Sequence, residues 1–487
     1  MTAVPSLRLR SLNDKAPRPE GQFVLYWMVA FRRPHWNFAL QHAVELALKY
    51  QRPLLVVESL RCDYPWASDR LHTFLLDGMA DNARLLRDSP VTYHPYVEPH
   101  PGAAKGLILF LARSACAIVS DDFPCFILPD MLQTAAAQCP VAFTAVDSNG
   151  ILPLRATETL YPSAYAFRRF LQKNLVGPLL SPPQADPLKG LPLPELKPLP
   201  EELSQRWPAC PVERLQKPQT VLAELPLDHS VPPVDIKGGP LAAQKNMEDF
   251  LQHKLSRYAN ERNEPEAEVT SGLSPYLHFG HISAHQIVHE LLQTQGWSPH
   301  RLESKPRGQK EGWWGLDVNA EAFLDQLITW RELGFNMCAL NPLYDRYESL
   351  PPWARASLEA HADDPRQTLY TLDEFAAATT HDPLWNAAQR QLVREGRLHN
   401  YLRMLWGKKI LEWTRHPRQA LEVMIELNNR YALDGRDPNS TSGIFWCLGR
   451  YDRPWGERPI FGKIRTMSSE RTAKKVRVRT YLETYGE

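Results

Sequence analysis

Hydrophobic positions recur along this chain with two periods, and the change from one to the other divides it. Residues 23–29 (FVLYWMV), 54–58 (LLVVE), 117–120 (AIVS) and 141–146 (VAFTAV) are short runs, apolar at nearly every position. Between them lie stretches with helical period, such as 36–50 (WNFALQHAVELALKY) and 106–115. Buried runs alternating with helices predict βαβ units on a parallel sheet. Such sheets hold ligands beyond the carboxyl ends of their strands. From residue 241 onward the period is helical almost throughout, at 247–263, 281–295, 320–336, 386–414 and 418–435. The expected architecture is an α/β domain over 21–174, behind a tail at 1–20, and an all-helical domain over 241–487. The intervening residues 175–240 hold 15 of the chain's 43 prolines. Missing N–H groups and fixed φ values oppose regular structure there, so this stretch reads as a linker, either disordered or an ordered strap.

Composition narrows the function classes. Lys and Arg number 56 against 55 Asp and Glu, a net charge of +1 in 487 residues, which excludes a globally basic nucleic-acid coat but not a local patch. Seven cysteines are scattered without a CxxC pair, the pattern of reduced thiols in a cytoplasmic protein with no zinc ribbon. No apolar run is long enough to span a membrane, and the first residues lack the apolar stretch of a secretion signal. Neither GxGxxG nor GxxxxGK[ST] occurs, so no dinucleotide fingerprint or P-loop is supported.

Four features carry candidate chemistry. His281, His285 and His289 are spaced to share one helix face, but no carboxylate or cysteine completes a metal set, and no metal is expected. The loop Thr270, Ser271, Gly272, Leu273, Ser274 offers hydroxyls and N–H groups of the kind that hold a phosphate, or simply caps a helix. Trp385, Trp406 and Trp413 belong to a back half that holds ten of the fourteen tryptophans. They are core aromatics or, beside a redox cofactor, an electron relay. The stretch 450–479 has ten basic and three acidic residues, with Arg450 and Arg453 beside Tyr451 and Trp455. It is a solvated face or a surface for phosphates and exposed bases.

Together, TSGLSPYLHFGHIS, LITWRELGFN, PLWNAAQRQLVREGRLHNYLRMLWGKKILEW, ELNNRYALDGRDPN, GRYDRPWGERPIFGKIR and, near the start, YWMVAFRRPHWNFAL resemble the photolyase/cryptochrome flavoproteins, in particular the class II cyclobutane pyrimidine dimer photolyases. The resemblance covers nearly the whole chain outside the linker. It implies an α/β antenna domain joined to a helical domain that binds FAD, with a deazaflavin or folate as possible second chromophore, and UV-damaged DNA as the partner of a monomeric enzyme. By motif, Tyr258 and the 270–274 loop would hold the FAD phosphates, helped by Arg331. Arg403 and Asp434 would frame the isoalloxazine, and Asn428 would neighbour its N5, free to rotate between flavin protonation states. Trp406, Trp385 and Trp413 would relay electrons in that order from flavin to surface. Trp330 and Trp446 would stack on the flipped-out lesion, with Arg450 and Arg453 on phosphates.

One residue departs from the family pattern. Gln326 stands where class II enzymes carry a lesion-facing glutamate, and the neighbouring Asp325 could replace that carboxyl only if the helix turned by about 100°. A (6-4) photoproduct photolyase and a cryptochrome-like blue-light receptor therefore stay open as alternatives. A non-catalytic nucleic-acid-binding module leaves the TSGLS loop and the tryptophan spacing unexplained.

Overall fold

The computed structural model describes residues 3–196 and 198–486. The chain forms two compact units, and it passes between them several times. The first comprises Met1–Glu158, Leu175–Glu248 and Gly272–Gly296; the second comprises Thr159–Asn174, Asp249–Ser271 and Trp297–Glu487. The units therefore do not follow the expected boundaries near 174 and 240.

The first unit is built on a six-stranded sheet: β1 (Leu9–Ser11), β2 (Phe23–Met28), β3 (Leu54–Leu60), β4 (Val91–Val97), β5 (Ala115–Asp121) and β6 (Phe143–Val146). The spatial order is β1-β6-β5-β2-β3-β4, parallel except for β1, which runs antiparallel to β6. Helices Phe38–Tyr50 and Asp69–Leu85 are among the crossovers. β2 and β5 are buried at every position, which is why their sequences are continuously apolar rather than alternating. Two strands lie outside the expected set. β1 falls in the residues expected to be a tail, and β4 contains His94 and Pro95, which blunt the strand signal. Both are edge strands, the positions where a short strand or a proline is tolerated.

The proline-rich stretch is an ordered strap on this unit. Short helices at Glu201–Arg206, Val212–Leu215 and Pro218–Leu222 bury Leu203, Leu215 and Val221. Cys210 N–H donates to the Pro95 carbonyl at 2.7 Å, and His94 Nε2 lies 2.9 Å from the Trp207 carbonyl. The strap thus covers an edge strand that would otherwise present free backbone groups. The three histidines also belong here. His281 precedes the Ser283 cap of helix Ala284–Thr294, so it does not share a helix face with His285 and His289. His281 stacks on Phe74, His285 packs on Phe38 and His289 on Trp36, and burial pushes the first two well below the usual imidazole range. Among the described residues no group of His, Cys, Asp or Glu is arranged to hold a metal ion. No helix of the described chain is long and apolar enough to cross a membrane.

The order of strands reverses between β2 and β5, and Asp121 closes that point. Its Oδ2 accepts from the N–H groups of Val29, Ala30 and Phe31 at 2.8, 2.7 and 2.9 Å, and its Oδ1 accepts from the Tyr26 hydroxyl at 2.7 Å. The residue is wholly buried, and burial pushes its carboxyl above the ordinary range although these donors oppose the shift.

The second unit is helical. Its core gathers Trp385, Trp406, Trp413, Leu402, Met424 and Phe445 around helices Pro383–Glu395, Asn400–Trp413, Pro417–Tyr431 and Pro438–Cys447. A further long helix is continuous through Val318–Leu324, Asp325–Trp330 and Arg331–Leu340, and its middle segment is a π-helix. Two glycines set the spacing. A Cβ at Gly334 would lie 2.8 Å from the Pro438 carbonyl oxygen, and one at Gly407 would lie 2.5 Å from Cys447 Sγ. Pro438–Cys447 therefore packs at close range against both neighbours.

Replacing Asp121 with alanine strands three buried N–H donors, so the unit is expected to lose about 3–5 kcal/mol of stability. Asp121→Asn, which keeps an acceptor oxygen, is expected to lose less. Chemical-denaturation midpoints of both variants against wild type check this, and an unchanged Asp121→Ala midpoint contradicts it.

Candidate functional site

The three tryptophans are brought together in the second unit. Trp385 sits in the first turn of Pro383–Glu395, where the Asp382 side chain caps its N–H; Trp406 and Trp413 lie two turns apart on Asn400–Trp413. Trp385 Nε1 donates to the Trp406 carbonyl at 3.0 Å, and the Trp385 and Trp413 rings lie 5.9 Å apart at 70°. Trp406 Nε1 donates to Gln389 Oε1 at 2.9 Å. All three rings are buried, and the indole N–H groups of Trp385 and Trp406 each find a neutral acceptor. Two residues outside the tryptophan pattern extend the series. Tyr370 packs edge-on to Trp413 at 5.6 Å, is only half-buried, and its hydroxyl lies 2.6 Å from His381 Nδ1. No sequence spacing links Tyr370 to the tryptophans; the contact depends on the loop before helix Leu372–Ala376.

One turn before Trp406, Arg403 begins a polar cluster. Its guanidinium pairs with Asp434 at 3.5 Å and donates to Ser440 Oγ at 3.2 Å. Asn428, in the last turn of Pro417–Tyr431, donates through Nδ2 to Ser440 Oγ at 3.0 Å and to Asn429 Oδ1 at 3.1 Å; Ser440 Oγ also lies 3.3 Å from Asn428 Oδ1. Arg436 N–H in turn donates to Asn429 Oδ1 at 3.0 Å. The amide is thus pinned on its nitrogen side, contrary to the expectation that it rotates freely. A Cβ at Gly443 would meet only Arg403 Cδ, at 3.8 Å, so the space beside that glycine is open as far as the Arg403 stem. A cation, a carboxylate, an amide and room beside them fit a flat heteroaromatic cofactor with ionisable edges. Asn429 and Ser440 escaped the sequence reading because hydroxyls and amides far apart in the chain carry no pattern of their own.

The pair Trp330 and Trp446 is stacked, with ring centroids 4.7 Å apart and an interplanar angle of 16°. Trp330 ends the π segment and Trp446 lies near the end of Pro438–Cys447, and the Gly334 contact aligns the two helices. Gln326 is the second residue of that segment, half-buried, and among the described residues no group hydrogen-bonds its amide. Asp325 does not turn toward the same side. Arg168 grips both its oxygens, at 2.7 and 3.1 Å, so the idea that it replaces the missing carboxyl is corrected by this ion pair.

The remaining expected residues are placed as follows. Tyr258 is buried edge-on against Phe250 and Phe323, with Arg262 over its ring. Arg331 is buried, its guanidinium 4.5 Å from the Phe335 ring centre. Thr270 and Ser271 end a segment of the second unit, and Gly272, Leu273 and Ser274 begin one of the first. Arg453 is exposed beside Trp455, which Arg465 flanks at 5.3 Å. Arg450 is not a surface residue. It is 1% exposed, packs on Phe445 and donates to the Tyr344 carbonyl at 2.7 Å, and burial lowers it to about 10, so it anchors the fold rather than gripping phosphate.

Comparison with known proteins adds to this geometry. The chain is 34% identical over 477 residues to the deoxyribodipyrimidine photo-lyase of Methanothermobacter thermautotrophicus, covering 98% of this chain and 97% of that protein. It is 32% identical to that of Arabidopsis thaliana, covering 98% and 92%, and 31% identical to that of Potorous tridactylus, covering 92% and 78%. Among solved structures, a bacterial class III photolyase from Agrobacterium tumefaciens matches with a TM-score of 0.67 at 17% identity, covering 97% of this chain and 87% of that one. A Synechocystis cryptochrome matches with a TM-score of 0.67 at 16% identity, covering 95% and 88%. At those identities the structural likeness shows the fold. No family model matches the sequence.

Lys408 is a buried cation beside this site. Its Nζ donates to the Cys447 carbonyl at 2.6 Å, at the C-terminal end of the helix that carries Trp446, where a cation is favoured. Burial nevertheless pushes its ammonium down to about 8, against an ordinary value of 10.5. Between these values the unfolded chain binds more protons than the folded one, so stability rises with pH by up to about 1.4 kcal/mol per unit. Wild type is therefore expected to gain stability relative to Lys408→Met as pH rises from 8 to 10, and to lose that gain as pH falls through 8. Denaturation midpoints of the two proteins across that range measure it, and parallel curves contradict it.

Proposed function

The chain belongs to the deoxyribodipyrimidine photo-lyase family, and on that premise we propose that it repairs cyclobutane pyrimidine dimers in UV-damaged DNA by light-driven electron transfer. Bound FAD, in its reduced and excited form, supplies the electron that splits the dimer and takes it back afterwards. The observation that carries the reading is the joining, on one helix, of the Arg403–Asp434–Asn428 cluster and the buried tryptophan series that starts one turn later.

The residues of this chain divide the work. Arg403 and Asp434 would orient the isoalloxazine edge, Asn428 would neighbour its N5, and Tyr258, Arg331 and residues 270–274 would hold the phosphates. Trp406, Trp385 and Trp413 lead electrons inward, and the indole N–H groups of Trp406 and Trp385 meet neutral acceptors. Trp330 and Trp446 stack on each other and offer flat faces to a flipped-out dimer. Arg453 and Arg465 around exposed Trp455 give a cationic stacking surface for DNA, and binding through it weakens with salt. The α/β unit is the candidate site of an antenna chromophore, a deazaflavin or a folate. Gln326 supports keeping a (6-4) photoproduct as the second substrate, because an amide can donate to a lesion carbonyl but cannot transfer a proton to it. Light sensing without repair is the remaining alternative, and the Trp330–Trp446 pair and the cationic surface count against it.

Reduced, FAD-loaded protein mixed with a cyclobutane-dimer oligonucleotide is expected to remove dimers under blue light and not in the dark, and Gln326→Glu is expected to raise that rate severalfold. Dimers that persist in light, with protein that binds and photoreduces FAD, overturn the reading and pass the test to a (6-4) oligonucleotide. Trp385→Phe is expected to slow flavin photoreduction by at least about tenfold, while chemically pre-reduced protein still repairs. Equal photoreduction in variant and wild type removes the relay.

A further inference from the structure

The hydrogens of the Asn428 amide are fully committed. Nδ2 carries two, and two acceptors take them: Asn429 Oδ1 at 3.1 Å and Ser440 Oγ at 3.0 Å. Neither acceptor can be exchanged for a donor at no cost. Asn429 Oδ1 is held in place by Arg436 N–H at 3.0 Å, which requires an oxygen there. Ser440 Oγ receives an N–H from Arg403 at 3.2 Å, so one lone pair faces the guanidinium and the other faces Asn428. The same Oγ lies 3.3 Å from Asn428 Oδ1 and donates its proton there, which supports the same orientation, since that oxygen retains a second lone pair. Asn428, Asn429 and Ser440 are all buried, so water does not replace a lost partner. Turning the amide over would set Oδ1 against Asn429 Oδ1, an acceptor against an acceptor, and leave buried groups unpaired.

We propose that Ser440 and Asn429 are positioning residues that lock Asn428 with its carbonyl oxygen as the only group left to offer a flavin. This rests on the reading that Asn428 neighbours flavin N5. A carbonyl oxygen accepts from a protonated N5 and repels the lone pair of an unprotonated one. The lock therefore favours the flavin that has gained one electron and one proton at N5 over the oxidised flavin. Ser440 holds its place through the fold: it lies in the first turn of Pro438–Cys447, capped by Asp437, and Gly334 and Gly407 bring that helix close enough for its hydroxyl to reach Asn428 and Arg403.

The test is a spectroelectrochemical titration of the FAD-loaded full-length protein, reading the midpoint of the bound flavin's first one-electron couple. Ser440→Ala removes an acceptor of nearly the same shape, freeing the amide to turn its N–H toward oxidised flavin. The expected result is about a tenfold shift of the equilibrium toward oxidised flavin, a midpoint about 59 mV more negative for one electron. Asn429→Ala is expected to move it in the same direction, and Ser440→Thr, which keeps the hydroxyl, to stay at the wild-type value. If Asn428→Ala shifts the midpoint while Ser440→Ala and Asn429→Ala leave it unchanged or raise it, the lock is wrong and the placement of Asn428 stands. If Asn428→Ala leaves the midpoint unchanged, the placement itself is wrong and the lock falls with it.

Discussion

Pro438–Cys447 can touch the helices on either side of it only because Gly334 and Gly407 present no Cβ where they meet it. That close approach is the constraint on which the site depends. On one side it brings Trp446 against Trp330; on another it brings the Cys447 carbonyl within reach of buried Lys408. In the first turn it delivers Ser440 to Asn428 and Arg403. Hydrogen bonds and ring contacts lose their strength within a fraction of an ångström, so a helix displaced by one methyl group would weaken all three at once.

Much of the architecture was legible in the chain because burial on both faces leaves a continuous apolar signature. β2, β3, β5 and β6 could be read that way, and the long helices through their period. What escaped was held by tertiary context. β4 contains a proline and a histidine and is stabilised at the sheet edge by the strap that covers it, so its own residues say little. The strap reads as a breaker-rich linker, yet Leu203, Trp207 and Leu215 bury it against the sheet unit. Asp121 looks like an ordinary strand-end acid until three N–H groups converge on it.

The site divides in the same manner. Ring-bearing residues could be found from sequence because tryptophans are few and their spacing on a helix is fixed. Charges misled more easily. Arg450 lies in a basic stretch, but its guanidinium is drawn inward to a carbonyl and a phenyl ring, while Arg453, three residues on, remains outside. Asp325 and Gln326 are adjacent, and their fates were settled by Arg168, a residue distant in sequence that takes the carboxylate for itself. A π segment begins at that point, so the periodicity of an α-helix no longer tells which side chains share a face.

Two amides, Asn428 and Gln326, stand among the site residues, and neither changes charge with pH. What such a group contributes is set by its orientation, since an amide donates from one end and accepts at the other. Asn428 has its nitrogen end committed to two buried acceptors, so only its oxygen is available. Gln326 has no hydrogen-bond partner for its amide among the described residues and is only partly buried, so it can present either end to whatever approaches. The protein thus fixes the amide of the Arg403–Asp434–Ser440 cluster and leaves loose the one in the segment that ends in Trp330. One functional group is thus held or left loose according to whether the fold supplies it with neighbours.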